Sequence, residues 1–220
     1  MNNPVLIQYF KIKDSIREGL IKYLSEALSI IPEIKNPQIL DIGCGTGVPT
    51  LELARRYIGT IYAVDINSDS LRFFRQKLHN ENLSDRVKLI HNSFFSEDFG
   101  CLKFDIILAE GLLNIVGFDK GFSKLIKLAK KKGYIIIHDD SQNRTKKNKI
   151  IKKNSCEVIK SFILSEEVWR NNYYEPLESK INSLEDNKLL SLFQSDLHEI
   201  ELFKSNPSQL SSTYYIIRKL

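Results

Sequence analysis

The sequence contains few cysteines, and none lies in a metal-binding or disulfide pattern. Its 220 residues include three cysteines, Cys44, Cys101 and Cys156, which are far apart and form no CxxC pair. Disulfide-stabilised secreted domains, zinc sites and iron–sulfur clusters all depend on closely spaced cysteines. We therefore expect none of these features, and we predict a reducing, cytoplasmic environment.

Long apolar runs are absent as well. No stretch approaches the roughly 18 apolar residues that a membrane-spanning helix needs. The first residues lack the basic segment and apolar run of a signal peptide, so none is predicted. A net charge of +5 is mild and does not by itself indicate a nucleic-acid partner. The length predicts a single soluble domain.

Strand-like and helix-like segments alternate through the first two thirds of the chain. Residues 5–30 carry apolar side chains at helical spacing, which predicts one or two amphipathic helices. Short apolar segments separated by helical patterns then predict strands at 39–42, 61–65, 87–91, 104–109 and 134–138. Such alternation is typical of an α/β fold with a mostly parallel sheet.

The remainder of the chain predicts a helical layer and a closing hairpin. Residues 141–196 show no clear strand, and helical patterns appear at 158–164 and 181–192. Two strand-like runs, 199–203 and 214–218, predict an antiparallel hairpin. We therefore divide the single domain 1–220 into a helical cap (1–35), a core (36–140), a helical insert that covers the substrate (141–196) and a β-hairpin (197–220).

A glycine-rich turn follows the first predicted strand. Residues 41–47 read DIGCGTG, with glycine at three alternating positions, which lets the backbone bend sharply and approach a ligand. The dinucleotide pattern G-x-G-x-x-G requires glycine where Val48 stands, and no phosphate-binding G-x-x-x-x-G-K-[ST] loop is present. Asp65 ends the next strand and is placed to accept hydrogen bonds from ribose hydroxyls. The spacing thus disfavours an NAD-dependent oxidoreductase.

These segments resemble the class I S-adenosylmethionine-dependent methyltransferases. Residues 39–47 are similar to motif I of that family, Asp65 to its acidic residue after the second strand, and 104–107 and 132–136 to its later motifs. The resemblance covers roughly residues 36–140. It implies a Rossmann-like, seven-stranded, mostly parallel sheet with helices on both faces and an antiparallel last strand. It also implies S-adenosyl-L-methionine as the cofactor and S-adenosyl-L-homocysteine as the product.

The resemblance also implies which residues hold the cofactor. The turn backbone would pass its amino-acid part, Asp65 would hold the ribose and Ile66 would pack on the adenine. Where the family usually has an aspartate near the adenine amino group, this sequence has Ser93 beside Asn92. The predicted cofactor residues are Asp41, Gly43, Cys44, Gly45, Thr46, Gly47, Asp65, Ile66, Asn92, Ser93, Phe94 (through its backbone N–H) and Glu110.

Candidate groups for the chemistry lie at the ends of the fourth and fifth strands. Glu110 is a candidate cofactor contact, substrate ligand or base, and His138 is a candidate base or a structural histidine. Asp139 and Asp140 could join Glu110 around Mg²⁺, as in catechol-type O-methyltransferases, but the rest of that pattern is missing and we predict no metal. The Asn/Asp-Pro-Pro-Tyr/Phe motif of nucleobase-amine methylation is also absent.

The insert carries two further features. Trp169, Tyr173 and Tyr174 either line the substrate site or pack the insert onto the sheet. The lysines of segment 146–153 either contact RNA phosphates or form a solvated face. We predict a methyltransferase that acts on a small molecule. The alternatives are an RNA methyltransferase and a non-catalytic cofactor-binding module, and the oligomeric state stays open.

Overall fold

A seven-stranded sheet with helices on both faces forms the centre of the molecule. The computed structural model describes residues 3–220, and for 208 and 209 it describes the backbone alone. The strands are β1 (Gln38–Ile42), β2 (Thr60–Asp65), β3 (Val87–His91), β4 (Phe104–Glu110), β5 (Ala129–Asp140), β6 (Cys156–Leu164) and β7 (Ser212–Lys219).

Helices connect the strands and cover one edge of the sheet. They are α1 (Pro4–Arg17), α2 (Ile21–Ser29), α3 (Val48–Arg56), α4 (Ser68–Asn80), α5 (Leu113–Val116), α6 (Phe118–Leu128), α7 (Arg144–Lys153), α8 (Glu166–Trp169), α9 (Glu175–Asn182), α10 (Asn187–Leu192) and α11 (Gln194–Ser205). Short 3₁₀ turns lie at Glu18–Leu20 and Pro207–Leu210, and a π-helical turn spans Arg170–Tyr174.

The strand order is β3-β2-β1-β4-β5-β7-β6. Strands β1 to β5 pair in parallel, whereas β7 runs antiparallel to both of its neighbours. The predicted fold class, a seven-stranded and mostly parallel sheet with an antiparallel last strand, is therefore confirmed. The carboxyl ends of β1, β2, β4 and β5 meet at one edge, which is where open α/β sheets bind ligands.

The core is divided by the sheet into two apolar layers. Neighbouring β1 residues point to opposite faces, so Ile39 packs with Phe74 of α4 while Leu40 packs with Phe122 of α6. A third buried cluster lies outside the sheet, where Ile12 of α1 meets Tyr173 and Phe193. The N-terminal helices and the insert therefore share one apolar core of their own.

The predicted hairpin at 197–220 is wrong in its first strand. Residues 199–203 belong to helix α11, in which Asp196, Ile200 and Phe203 are buried while the apolar side chain of Leu202 is exposed. Spacings of four and three residues bury one helical face. A run of only five residues fits strand and helix periods alike, and packing on the third cluster decides between them.

The partner of β7 comes instead from the segment predicted as a helical insert. Residues 156–164 form the edge strand β6, which pairs Val158 with Ile217 and Phe162 with Tyr214. Val158, Ile159, Phe162 and Ile163 are β-branched or aromatic and favour a strand. The helical prediction for 158–164 is therefore wrong, and the insert of 141–196 contains a strand.

Two other helical predictions need smaller corrections. The pattern predicted across 181–192 forms two helices, because Asp186 accepts hydrogen bonds from the backbone N–H groups of Lys188 and Leu189 and begins α10. The helical pattern of residues 118–131 predicts a helix that runs to Lys131, but α6 ends at Leu128, after which Ala129 already pairs with Phe104 of β4.

Gly47, which precedes α3, offers a test of how tightly the glycine turn is packed. Its φ is +85°, and a Cβ added there would lie 2.2 Å from the ring of Phe74. We expect Gly47→Ala to lower the free energy of unfolding by about 2–4 kcal/mol, from left-handed strain plus overpacking. Chemical denaturation measures this change.

Gly100→Ala is the matched control. Gly100 also has a positive φ, of +54°, but a Cβ there meets no heavy atom within 4 Å. Gly100→Ala should therefore lower the free energy of unfolding only by the backbone strain, about 1–2 kcal/mol. Equal losses in the two variants would contradict a close contact between Gly47 and Phe74.

Candidate active site

The glycine turn lies at the carboxyl end of β1 and is tied to the neighbouring strand. The backbone N–H groups of Gly43 and Cys44 both donate to the carbonyl oxygen of Val64, at 2.8 and 3.1 Å. Gly43, Gly45 and Gly47 all have positive φ, and a Cβ placed on Gly45 meets nothing within 4 Å. The turn therefore leaves open space against its backbone, as close approach of a ligand requires.

Asp65 stands next to the turn, at the end of β2. Its Oδ2 accepts from the backbone N–H of Gly45 at 2.7 Å, and its Oδ1 accepts from that of Asn67 at 2.7 Å. A carboxylate has about four lone-pair sites, so two acceptor positions stay available for a diol. Ile66 follows and is 71% exposed, which leaves an apolar surface beside that carboxylate.

Asp41 and Cys44 lie behind the turn rather than on its open side. Both are buried, and Asp41 Oδ2 accepts from the hydroxyl of Thr50 at 2.5 Å. Burial raises the pKa of Asp41 to about 7 and also raises the pKa of the Cys44 thiol. These two side chains support the turn from inside, so any contact to a cofactor would come from the backbone of Cys44.

The segment after β3 carries Asn92, Ser93 and Phe94. The side chain of Asn92 is used locally: its Oδ1 accepts from the backbone N–H of Ser93, and its Nδ2 donates to Glu97 at 2.7 Å. Ser93 Oγ accepts from the backbone N–H of Phe95 at 3.3 Å. The side chain of Phe94 is buried in the core, so only its backbone is available for the adenine contact that the sequence predicts.

Helix α1 closes over the turn through residues that the sequence did not single out. Asp14 accepts from the hydroxyl of Thr46 and forms an ion pair with Lys77 at 2.6 Å. Lys77 also donates to the carbonyl oxygen of Thr46 at 2.9 Å. Nothing in the local pattern around Asp14 indicates a site, because its partners lie 32 and 63 residues away.

A chamber of about 360 Å³ opens beside the turn, over the ends of β4 and β5. Its floor includes Val48 and Pro49 at the start of α3, and its walls include Glu110, His138 and Trp169. The first helices supply Arg17 and Leu20, and the insert supplies Tyr173 and Tyr174. The structure thus brings the predicted residues Glu110, His138, Trp169, Tyr173 and Tyr174 around one cavity.

Glu110 is largely buried in the chamber wall, with 10% of its side chain exposed. Its Oε1 accepts from the hydroxyl of Tyr214, and its Oε2 lies 3.6 Å from Arg17. Burial raises the pKa of Glu110, although Arg17 and the Tyr214 hydroxyl oppose the shift. The sequence around Glu110 does not indicate Tyr214 or Arg17 as partners, because each is about a hundred residues away.

His138 stacks with two aromatic rings. Its ring and that of Tyr214 have centroids 4.1 Å apart, and the ring of Trp169 is nearly parallel to it with centroids 5.8 Å apart. Ser212 Oγ accepts from Trp169 Nε1 at 2.9 Å and lies 2.7 Å from His138 Nε2. If the Ser212 hydroxyl donates to Nε2, the imidazole proton is on Nδ1, which faces Glu110 at 3.9 Å.

Burial, together with the nearby Arg17 guanidinium, lowers the pKa of His138 to about 3. The imidazole is therefore neutral near pH 7 and is a weak base there. A base works best when its pKa is close to the working pH. The environment thus favours His138 as a hydrogen-bonding and packing group over the base that the sequence suggested.

The two aspartates after β5 pair with a lysine of the basic segment 146–153. Lys147 forms ion pairs with Asp139 at 2.6 Å and Asp140 at 3.1 Å, and its side chain is buried.

Within residues 3–220, no group of three or more histidine, cysteine or acidic side chains is arranged to hold a metal ion. In the same part of the chain, every helix is too short or too polar to cross a bilayer.

Comparison with known proteins now adds to this geometry. Residues 34–183 match the family described as "Methyltransferase domain". The match covers more than half of the chain, so the protein belongs to this methyltransferase family, and the predicted resemblance to class I S-adenosylmethionine-dependent methyltransferases is confirmed.

The similarity to individual named proteins extends over only part of the chain. A Methanobrevibacter smithii protein named "Probable cobalt-precorrin-6B C(15)-methyltransferase (decarboxylating)" is 40% identical over 81 residues, 37% of this chain and 39% of that protein. The chain thus spans well under half of that relative's length.

Solved structures share the fold at low sequence identity. A methyltransferase from Geobacter sulfurreducens in complex with S-adenosyl-L-homocysteine superposes with a TM-score of 0.67 at 16% identity, over 96% of this chain and 97% of that one. The cyclase SpnF superposes with a TM-score of 0.76 at 14% identity, over 90% and 80%.

The raised pKa of Asp41 predicts a measurable pH dependence of stability. Its ordinary value is 3.8 and its folded value about 7, so the folded state keeps a proton that the unfolded chain releases. This contribution is fully present below pH 3.8 and is lost as the pH rises towards 7, at about 1.4 kcal/mol per pKa unit. Asp41→Asn, which can still accept from Thr50, should remove that loss.

The measurement is urea denaturation of both proteins from pH 4 to 7. The difference in free energy of unfolding should move in favour of the Asn variant as the pH rises. Asp69→Asn, at an exposed position on α4, should show no such trend. A pH-independent difference for Asp41→Asn would contradict the buried, protonated carboxyl group.

Proposed function

We propose that the protein is an S-adenosylmethionine-dependent methyltransferase whose methyl acceptor is a small molecule. The observation that carries this proposal is the chamber of about 360 Å³, which begins where the glycine turn ends and is covered by α1, α2 and the insert. Pockets for drug-sized ligands measure about 300–1,000 Å³. A partly covered chamber of this size suits a compact acceptor better than a nucleic acid or a folded protein.

The residues present fit the cofactor. The open backbone at Gly45 would face its amino-acid part, the free lone pairs of Asp65 would accept from the ribose hydroxyls, and the exposed Ile66 would pack on the adenine. The backbone of Ser93 and Phe94 would border the base. When bound, the cofactor supplies a methyl group on a sulfonium, and the chain supplies alignment and proton handling.

Glu110 is the stronger of the two catalytic candidates. It lines the chamber, and burial raises its pKa above the ordinary glutamate value, which makes the carboxylate a stronger base. His138 would hold Glu110 and Trp169 in place as a neutral ring. Trp169, Tyr173 and Tyr174 would contact the acceptor.

The alternative of an RNA methyltransferase depends on the basic segment 146–153. One of its lysines, Lys147, is buried and paired with two carboxylates, which leaves it unable to reach phosphates. The precorrin methyltransferase relative acts, by its name, on a small molecule, which supports the preferred reading. The fold is also shared with a cyclase, so the fold alone does not establish methyl transfer. If no acceptor fraction is methylated, the alternative of a non-catalytic cofactor-binding module is favoured.

Cofactor binding is tested at Asp65. We expect Asp65→Asn to weaken binding of S-adenosyl-L-homocysteine by about 10- to 100-fold, because a hydrogen bond to a charged group contributes about 1.5–3 kcal/mol. Isothermal titration calorimetry measures the dissociation constant. Asp69→Asn, four residues away on the surface, is the control, and an unchanged constant for Asp65→Asn would show that Asp65 does not hold the ribose.

The class of acceptor is tested by transfer of a labelled methyl group. The purified protein is given labelled S-adenosylmethionine with separated small-molecule, RNA and protein fractions of a cell extract. Label should enter the small-molecule fraction. Labelling of RNA alone, with an affinity that falls steeply with salt, would favour the RNA alternative instead.

A further inference from the structure

The chamber is acidic as well as aromatic. Its described lining includes the four carboxylates of Glu110, Asp139, Asp140 and Glu199, and one permanently cationic side chain, Arg17. Lys147, behind the wall, pairs with Asp139 and Asp140. Four carboxylates against two cations leave two negative charges when all are ionised, in a protein whose net charge is +5.

One of these carboxylates, Glu110, has unused hydrogen-bonding capacity towards the chamber. Glu110 Oε2 faces Arg17 at 3.6 Å, which is an ion-pair distance but too long for a hydrogen bond. Asp139, by contrast, has a fully buried side chain that pairs with Lys147 at 2.6 Å, so it adds charge behind the wall without offering an acceptor to a ligand. A buried acceptor without a donor is costly, so a ligand that brings N–H groups would be favoured here.

Glu199 adds a charge at the mouth. Its Oε1 accepts from the hydroxyl of Tyr174 at 2.8 Å, and no cation of the described residues lies within ion-pair distance of it. Tyr174 is 5.9 Å from Trp169 between ring centroids. Aromatic faces attract cations, and they do so more strongly where water is excluded.

We propose that the small-molecule substrate of this site is an amine that binds as its cation, with the ammonium group held by Glu110 and an aromatic or apolar body packed against Trp169. The proposal rests on the proposed function and names the substrate class of the same chamber. A neutral alcohol would satisfy fewer of the free acceptors, and a carboxylate would meet like charge.

The role of Glu110 then includes proton uptake. An ammonium nitrogen has no lone pair, so it must lose a proton before it can act as a nucleophile. The N–H bond breaks and the proton passes to the Glu110 carboxylate, which leaves the lone pair on nitrogen. The hydroxyl of Tyr214 holds Oε1 throughout, so Glu110 is kept in one orientation.

Trp169 makes the test direct, because it is the single tryptophan of the sequence and lines the chamber. Its fluorescence is titrated with three probes of similar shape: 2-phenylethylammonium, 2-phenylethanol and 3-phenylpropionate. We expect the ammonium to bind at least about tenfold more tightly than the alcohol, and the carboxylate more weakly than both. Equal binding of ammonium and alcohol, or tighter binding of the carboxylate, would overturn the proposal.

Two variants locate the effect. Glu110→Gln keeps the shape and should bring the ammonium and the alcohol within about threefold of each other. Glu201→Gln, on the exposed face of α11 and paired with Lys204, should leave the preference unchanged. If Glu110→Gln still binds the ammonium more tightly than the alcohol, another group causes the preference, and the proposed role of Glu110 is contradicted.

Binding of S-adenosyl-L-homocysteine, measured by calorimetry on the same samples, separates this proposal from the function on which it rests. If S-adenosyl-L-homocysteine binds and the protein does not prefer the ammonium probe, the proposed function is retained and the amine proposal is rejected. If the nucleoside does not bind, the proposed function fails, whatever the probes show. Retained nucleoside binding by Glu110→Gln also establishes that this variant is folded.

Discussion

The candidate site depends on the hydrogen bonds that join the glycine turn to the end of β2. Gly43 and Cys44 donate to Val64, and Gly45 donates to Asp65. These bonds fix the backbone of one strand end against the carboxylate of the next. A ligand that contacts the turn must therefore also meet Asp65, and neither group has to move far to bind it.

Helix α1 extends this arrangement to the opposite wall of the chamber. Asp14 joins it to Thr46 in the turn, and one position earlier Lys13 joins it to Asp196 of α11 and to the Tyr173 hydroxyl at 2.9 Å. Neighbouring residues of one helix thus contact the glycine turn on one side and Tyr173 of the chamber lining on the other. A displacement of α1 would therefore disturb both sets of contacts.

The sequence predicts the parts of this structure that local patterns specify. The turn, Asp65 and the five parallel strands follow from glycine spacing and short apolar runs, and they are where expected. Segments 158–164 and 199–203 were assigned to the wrong class, because runs this short fit both periods and their partners decide. Only pairing with β7 makes the first a strand, and only the cluster around Phe193 makes the second a helix.

Contacts between residues that are distant in the sequence cannot be predicted from local patterns either. Arg17, Glu110 and Tyr214 come from the first helix, the fourth strand and the last strand, and no spacing along the chain relates them. Asp14 and Lys77 are a similar case. Charged residues are common on helices, so a sequence gives no reason to select these over their neighbours.

The buried acids at this edge of the sheet act on one another. Burial raises the pKa of both Asp41 and Glu110, and the negative charge of Glu110 is one of the further causes that raise the pKa of Asp41. Arg17 lowers the pKa of both groups, and each also accepts from a hydroxyl, Glu110 from Tyr214 and Asp41 from Thr50. Because the charge of Glu110 raises the pKa of Asp41, a negative charge on Glu110, in the chamber wall, favours the protonated form of Asp41, behind the turn. The two sides of the turn are therefore coupled electrostatically.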